Sequence, residues 1–273
     1  MPLTSENPAR PAAGPPLIAS TFHSMGTVIS LTMPGAPGPG GHTTKDELEA
    51  AATVVERVFL DLDRTFSLYR EDSEASSLAR GELTLRDASP VMRERYAEAL
   101  QWRLRTQGAF TPERPDGVLD LSGLIKAYAI REAGTSVLAL RCTDWCLNAG
   151  GDVLVSGSPV PGSGEPWDAG IVDPFDRGAL LAGYPLGARR RHSALATSGS
   201  AERGDHIWRR PGEAPAFVQV SVAAQDITTA DVLATAIVAG GKPMLDRATD
   251  GWDVAVLAVG PGGELLGTLD FRR

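Results

Sequence analysis

The periodicity of apolar residues changes near residue 145, and this change limits the folds that the chain can adopt. Before it, residues 43–69, 89–108 and 121–140 carry apolar side chains at helical spacing. After it, short apolar runs are separated by Gly, Pro and Asp, which is typical of strands. Strands and helices do not alternate regularly, so a doubly wound parallel sheet is excluded. The sequence therefore predicts an α+β fold, with helices concentrated in the first half and a largely antiparallel sheet in the second half.

Residue types at the ends of these segments predict where the helices begin. Thr44 with Glu47 forms a capping box for the first helix. Ser89 followed by Pro90 starts the second, and Ser122 is the candidate cap of the third. Another helix is expected within 219–241. The predicted strands are 20–33, 145–157, 167–173, 217–224 and 253–259.

Chain length and composition favour one globular unit. The 273 residues are 42% hydrophobic, enough for one large core or two closely packed lobes. Residues 1–17 are rich in Pro and Ala, which predicts a flexible tail before a domain at 18–273.

Charge, cysteine content and hydropathy exclude several classes of protein. The net charge of −8 argues against a nucleic-acid partner, because binding to phosphates needs a basic surface. Two cysteines, Cys142 and Cys146, are too few for a disulfide framework. Neither a signal peptide nor a transmembrane segment is expected, since the first residues contain no apolar h-region and no apolar run approaches about 18 residues. A cytoplasmic location is expected.

Residues 117–129, "GVLDLSGLIKAYA", contain the first candidate site. Asp120 precedes a predicted helix start, and Lys126 follows within the helix. Free backbone N–H groups at a helix N-terminus favour anions such as a pyrophosphate. The alternative is that Asp120 only caps the helix and Lys126 only faces solvent.

Residues 194–207, "ALATSGSAERGDHI", contain the second candidate site. Small residues allow the backbone to approach a ligand, and His206 has a side chain that can accept a proton near neutral pH. The alternative is a tight loop with a solvated histidine.

Residues 228–236, "TTADVLATA", contain the third candidate site. Asp231 and Thr235 are four residues apart and share one face of the predicted helix. Carboxylate and hydroxyl oxygens are suitable ligands for Mg²⁺. The alternative is that Asp231 interacts with the helix dipole in a first turn capped by Thr228 or Thr229, while Thr235 bonds to a backbone carbonyl.

These segments occur in an order that resembles one family, the ApbE-type FAD:protein FMN transferases. The matching pieces are "SMGT" (24–27), "FSLYREDSEASSL" (66–78), "GAFTP" (108–112), "LDLSGLIKAYA" (119–129), "NAGGDVLVSG" (148–157), W-x-x-GI-x-DP (167–174), "ATSG" (196–199), "HI" (206–207) and "ADVLATA" (230–236). Each piece alone has low specificity, but nine in this order are difficult to obtain by chance.

The resemblance implies an ApbE-like, T-fold-related architecture and a specific reaction. Such an enzyme binds FAD, uses Mg²⁺, and moves the FMN half onto a threonine (or serine) hydroxyl of an acceptor protein, releasing AMP. Positions matching the family's metal site are Gly123 through its backbone, Asp231 and Thr235. Positions matching FAD contacts are Met25, Tyr69, Ala109, Phe110, Thr111, Asp120, Lys126 and Ile207. His206 matches the histidine considered catalytic, with Asp205 and Asp120 as other candidates for the base.

The sequence departs from the family pattern around the proposed histidine. Thr111 stands where the family usually has Asp, and Ala201 where it usually has an aromatic residue. After His206, Trp208 and Arg209 replace part of an apolar and acidic pattern. Two alternatives therefore stay open, hydrolysis of FAD to FMN and AMP, and a non-catalytic FAD-binding protein.

Overall fold

The computed structural model describes residues 15–35, 43–187, 189–199 and 215–271, and these form helices and antiparallel strands. The strands are β1 (Leu17–Ser24), β2 (Thr27–Pro34), β3 (Trp145–Ala149), β4 (Asp152–Ser156), β5 (Trp167–Val172), β6 (Leu180–Leu186), β7 (Ala194–Gly199), β8 (Gln219–Ala224), β9 (Ala255–Val259) and β10 (Leu265–Gly267). The helices are α1 (Lys45–Phe66), α2 (Glu74–Ala79), α3 (Pro90–Arg105), α4 (Ser122–Ala139) and α5 (Ile227–Gly251), with a short 3₁₀ helix at Leu269–Phe271.

Eight strands form one antiparallel sheet in the order β1-β2-β3-β4-β7-β8-β9-β10. β5 and β6 pair only with each other, also antiparallel. Helix α4 packs against both α1 and α5, and α5 lies against β7 and β8. The predicted α+β class with an antiparallel sheet is confirmed. The first two strands of this sheet come from the start of the chain, so helices α1 to α4 lie between β2 and β3 in the sequence.

Alternating side chains of the central strands enter two different apolar cores. In β8, Val220 and Val222 pack with the helices, whereas Ala223 packs with β5 and β6. In β9, Val256 faces the helices and Leu257 faces the β5–β6 layer. A sheet covered on both faces explains the continuous apolar runs of these strands, because neither set of side chains meets water.

The segment 20–33, predicted as one strand, is a hairpin. Ser24 pairs with Thr27, and the two residues between them have positive φ, 49° at Met25 and 70° at Gly26. Positive φ at both central residues is the geometry of the tightest hairpin turns, and glycine tolerates it well. The prediction was wrong because the methionine in this turn gave no turn signal. Leu17, the last residue of the predicted tail, already belongs to β1.

Two of the three predicted helix caps are confirmed. Thr44 and Glu47 form the capping box of α1, and the Ser89 hydroxyl accepts a hydrogen bond from the Met92 N–H in α3. Ser122 was wrong as a cap, because it is the first residue of α4 and makes no capping bond. Instead, Asp120 Oδ1 accepts the Ser122 N–H at 2.9 Å.

Several elements had no clear sequence signal. β6, β10 and α2 were not predicted, and 194–199, interpreted as part of a close turn, forms strand β7 between β4 and β8. These segments are short or contain Gly and Pro, so their conformation depends on pairing with distant strands. Within the described ranges, no helix is long and apolar enough to cross a membrane.

Candidate functional site

A cleft of about 870 Å³ opens beside the N-terminal end of α4. The residues that line it come from the β1–β2 turn, the end of α1 with the loop after it, the loop before α4, and the start of α4. They are Met25, Gly26, Leu62, Asp63, Phe66, Ser67, Leu68, Tyr69, Arg70, Arg114, Asp120, Ser122, Ile125 and Lys126. A volume of this size lies in the range of pockets that hold cofactors. Four of the predicted FAD contacts, Met25, Tyr69, Asp120 and Lys126, are therefore brought together from segments far apart in the sequence.

Tyr69 and Met25 both line the cleft. The Tyr69 residue is 87% exposed, although aromatic residues usually bury most of their surface. Its backbone N–H donates to Ser67 Oγ at 3.3 Å, which fixes the loop after α1. Met25 occupies the left-handed turn between β1 and β2 and packs partly against the main core. An exposed ring and a thioether that line the same cleft are suitable for binding a planar heteroaromatic group.

Charged side chains of both signs line the rest of the cleft. Arg70 forms an ion pair with Asp72 at 3.1 Å, and Arg114 forms one with Asp116 at 2.9 Å. Burial raises the pKa of Asp63, and the nearby Arg70 guanidinium opposes this rise. Cations that line a partly apolar cleft favour a ligand that is aromatic at one end and anionic elsewhere.

Lys126 reaches from α4 to a carboxylate on the sheet. Its side chain is 15% exposed and forms an ion pair with Asp152, the first residue of β4, which has no exposed surface. The alternative that Lys126 only faces solvent is therefore wrong. Asp120 both lines the cleft and accepts the Ser122 N–H, so a capping role does not exclude ligand contact.

The α5 pair lies deeper in the structure. Asp226 caps this helix by accepting the Thr229 N–H at 2.8 Å, so neither Thr228 nor Thr229 is the cap. Asp231 therefore lies beyond the first turn and is 3% exposed. The alternative of a first-turn dipole partner is thus wrong.

Thr235, one turn after Asp231, points toward β7. Its hydroxyl shares a 3.0 Å hydrogen bond with the Ser198 hydroxyl. The alternative predicted a hydrogen bond from Thr235 to a backbone carbonyl, whereas this contact is with a side-chain hydroxyl.

A series of contacts connects the cleft with α5. Asp152 Oδ1 accepts the Thr197 N–H at 3.1 Å, and the next residue of β7, Ser198, is the partner of Thr235. The series therefore passes from Lys126 through Asp152 and β7 to the Asp231 helix. Asp152 was not identified as a functional candidate from the sequence, although its place after the "NAGG" turn was a signal. Gly150 and Gly151 have φ of 63° and 95°, and this turn brings β4 back antiparallel to β3.

Three other predicted FAD contacts do not line the cleft, as far as the described residues show. Phe110 is 3% exposed, and its ring lies 3.3 Å from the position of a Cβ on Gly123. Ala109 lies against Gly240 of α5, and Thr111 Oγ1 accepts the Glu113 N–H at 3.3 Å. Phe110 thus packs against the start of α4, Ala109 packs against α5, and Thr111 bonds within its own loop.

The remaining candidates fall outside the ranges that the structure describes. These are His206 and Ile207, together with Asp205 and the altered residues Ala201, Trp208 and Arg209. Among the described residues, there is no group of three or more His, Cys, Asp and Glu side chains that could hold a metal ion. A metal on α5 would therefore depend on one carboxylate with hydroxyl, carbonyl and ligand oxygens.

Comparisons with known proteins agree with the fold and the motifs. The chain is 32% identical over 165 residues to the FAD:protein FMN transferase of Rhodobacter capsulatus, a match that spans 56% of this chain and 30% of that protein.

Solved structures with this fold include the flavin transferase ApbE of Vibrio cholerae (TM-score 0.73, 20% identity, 94% of this chain and 98% of that one). Another is the ApbE protein of Thermotoga maritima (TM-score 0.74, 18% identity, 94% and 98%). The model of the ApbE family matches residues 111–256, which include α4, β7 and the Asp231 helix. The chain therefore belongs to the ApbE family.

Proposed function

We propose that this protein transfers the FMN half of FAD to a threonine (or serine) hydroxyl of an acceptor protein and releases AMP. The observation that carries the proposal is the contact series from Lys126 in the cleft to Thr235 on α5. This series connects the N-terminal end of α4, the candidate anion site, with α5, the candidate metal-binding helix. In the reaction, the acceptor oxygen bonds to the FMN phosphorus, the P–O bond to AMP breaks, and the hydroxyl proton passes to a base.

The cleft supports FAD as the substrate. Tyr69 and Met25 supply a surface for the isoalloxazine ring, and the start of α4 with Lys126 supplies positive charge for the pyrophosphate. Asp120 offers a carboxylate that can accept hydrogen bonds from ribityl, ribose or amino groups.

Asp231, Thr235 and the Gly123 carbonyl would hold Mg²⁺. Their donor set is hard oxygen, and Mg²⁺ usually takes few protein ligands and completes its shell with water and phosphate oxygens. The burial of Asp231 and the fixed Thr235 hydroxyl fit such a site. When bound, Mg²⁺ would neutralise charge on the pyrophosphate and on the leaving AMP.

A base close to the acceptor hydroxyl would complete the machinery. His206 is our candidate, because imidazole accepts protons near neutral pH and such a base contributes about 10²–10⁴-fold to rate. Asp205 and Asp120 are the other candidates, and Asp120 lines the cleft.

Intact-mass spectrometry of an acceptor domain after incubation with the protein, FAD and MgCl₂ tests the proposal. A mass gain of one FMN group that disappears when the acceptor threonine is replaced by alanine is the expected result. Free FMN and AMP without a mass gain would identify a hydrolase. Unchanged bound FAD would identify a non-catalytic FAD-binding protein.

Asp231→Asn tests the metal assignment, with Asp226→Asn on the same helix as its matched control. Asp231→Asn should abolish Mg²⁺-dependent transfer, because the isosteric amide lacks the charge that holds the cation. Asp226→Asn keeps a good capping residue and should retain transfer. Equal activity of the two variants would overturn the assignment of Asp231.

A further inference from the structure

Asp152 is a completely buried carboxylate to which the proposed reaction assigns no role. It begins β4, immediately after the Gly150–Gly151 turn, and its side chain has no exposed surface. A buried carboxylate is costly unless it is paired and hydrogen-bonded. Its two oxygens have different partners, the Lys126 ammonium at Oδ2 and the Thr197 N–H at Oδ1.

Strand geometry places Asp152 on the functional side of the sheet. Val153 and Val155 of the same strand pack into the core under β5 and β6. Because side chains alternate along a strand, Asp152 and Leu154 face the helices, and Leu154 packs against the helix-side core. Asp152 is therefore directed at α4, yet it does not itself line the cleft.

We infer that Asp152 is a positioning residue for FAD binding that acts through Lys126. This inference rests on the proposed function. A lysine side chain has many rotamers and presents a point charge, so its contribution to binding depends on where the ammonium is held. The Asp152 carboxylate holds that ammonium at the wall of the cleft.

The second oxygen of Asp152 also fixes the position of strand β7. The Thr197 N–H that it accepts adjoins Ser198, whose hydroxyl contacts Thr235. Thr197 is fixed further by a 2.7 Å hydrogen bond between its hydroxyl and that of Ser221. One carboxylate thus fixes the position of the cleft cation relative to the helix that carries Asp231.

FAD titration followed by flavin fluorescence, without acceptor, tests this inference. Asp152→Asn keeps an acceptor oxygen for Thr197 but loses the charge that holds Lys126. We expect the dissociation constant for FAD to rise about 10-fold to 100-fold, the range known for outer partners that orient metal ligands. In the transfer assay, the KM for FAD should rise by a larger factor than kcat falls.

Asp144→Asn is the matched control. Asp144 also accepts a backbone N–H, that of Ser158 at 2.8 Å, but it lies next to the other end of the β3–β4 hairpin and away from the cleft. Asp144→Asn should bind FAD as the wild type does. A loss of affinity in Asp144→Asn equal to that in Asp152→Asn would overturn the inference, because it would show a general effect of disturbing the hairpin.

A double-mutant cycle separates a positioning role from an independent one. If Asp152 acts through Lys126, then Lys126→Met and the double variant with Asp152→Asn should have the same FAD affinity. A further loss in the double variant would overturn the inference. Each single variant removes one charge of this ion pair and leaves the other, on Lys126 or on Asp152, whereas the double variant removes both. If one single variant fails to fold, the double variant should match the FAD affinity of the other, and a further loss would again overturn the inference. Absence of FAD binding by the wild type would overturn the proposed function itself.

Discussion

Replacing Gly134 by alanine should disturb the contact between α4 and the sheet that sets the position of Lys126. Gly134 is buried in α4, and a Cβ built on it would lie 2.7 Å from Trp145 Cη2 and 3.1 Å from Leu154 Cδ2. Carbon atoms pack best at about 3.5–4.0 Å. The helix or the indole must therefore move by about 1 Å. Trp145 is 2% exposed and has little room to do so.

The expected cost follows from two opposing effects. Overpacking of a dense core costs about 1–3 kcal/mol. Alanine is a better helix former than glycine by about 1 kcal/mol, which offsets part of that cost. The net loss of unfolding free energy for Gly134→Ala is therefore about 0–2 kcal/mol.

Gly251→Ala isolates the overpacking, because Gly251 is also helical but a Cβ there would meet nothing within 4 Å. It should gain about the same 1 kcal/mol of helix propensity, so the two variants should differ by the overpacking cost of about 1–3 kcal/mol. Urea unfolding should show midpoints about 0.3–1 M apart at an m-value near 3 kcal/mol/M. If Gly134→Ala is as stable as Gly251→Ala, the close approach of α4 to Trp145 is not a constraint and the reasoning fails.

Three further predictions concern single side chains. Burial lowers the pKa of His192, whose Nδ1 lies 2.6 Å from the Tyr184 hydroxyl. The contribution of His192 to stability should be complete above the unfolded pKa of about 6.5 and lost as pH falls through the lower folded pKa. Urea midpoints should thus fall less between pH 7.5 and 5 in His192→Gln than in the wild type or in a His23→Gln control on exposed β1. Burial raises the pKa of Cys146 to about 12, so iodoacetamide at pH 8 should label this thiol only after unfolding. Intact mass would show this in a Cys142→Ser variant, in which Cys146 is the remaining thiol. Asp226→Ala removes the N-cap of α5 and should cost about 0.5–2 kcal/mol in thermal or urea unfolding, whereas no loss would contradict the capping assignment.

Local sequence signals predicted the parts of the fold that depend on neighbouring residues. The capping box of Thr44 and Glu47 and the Ser89 cap of α3 involve residues within one turn, and both predictions are confirmed. The Met25–Gly26 turn was missed because methionine rarely adopts a positive φ. β7 was missed because its small polar residues form a strand only between β4 and β8.

The candidate site was predictable as a set of residues and only partly as an arrangement. Met25, Tyr69, Asp120 and Lys126 were named from motifs, and the fold gathers them around one cleft. Asp152 was not named, because its place after the "NAGG" turn does not reveal the ion pair with Lys126 on a distant helix. Its role emerges only when the direction of β4 and the packing of α4 are both known.

By itself, the sequence determined the α+β class, the helix caps at Thr44 and Ser89, and the residue types suited to an anion and a hard cation. Those properties are local, since they arise from periodicity and hydrogen bonds within a few residues. Only the tertiary structure decided that Asp231 lies beyond the first turn of α5, and that Thr235 contacts Ser198. The tertiary structure also decided that the buried Asp152 carboxylate of β4 pairs with Lys126 at the wall of the cleft. Such contacts link residues far apart in the chain, and they form only when helices and strands pack together.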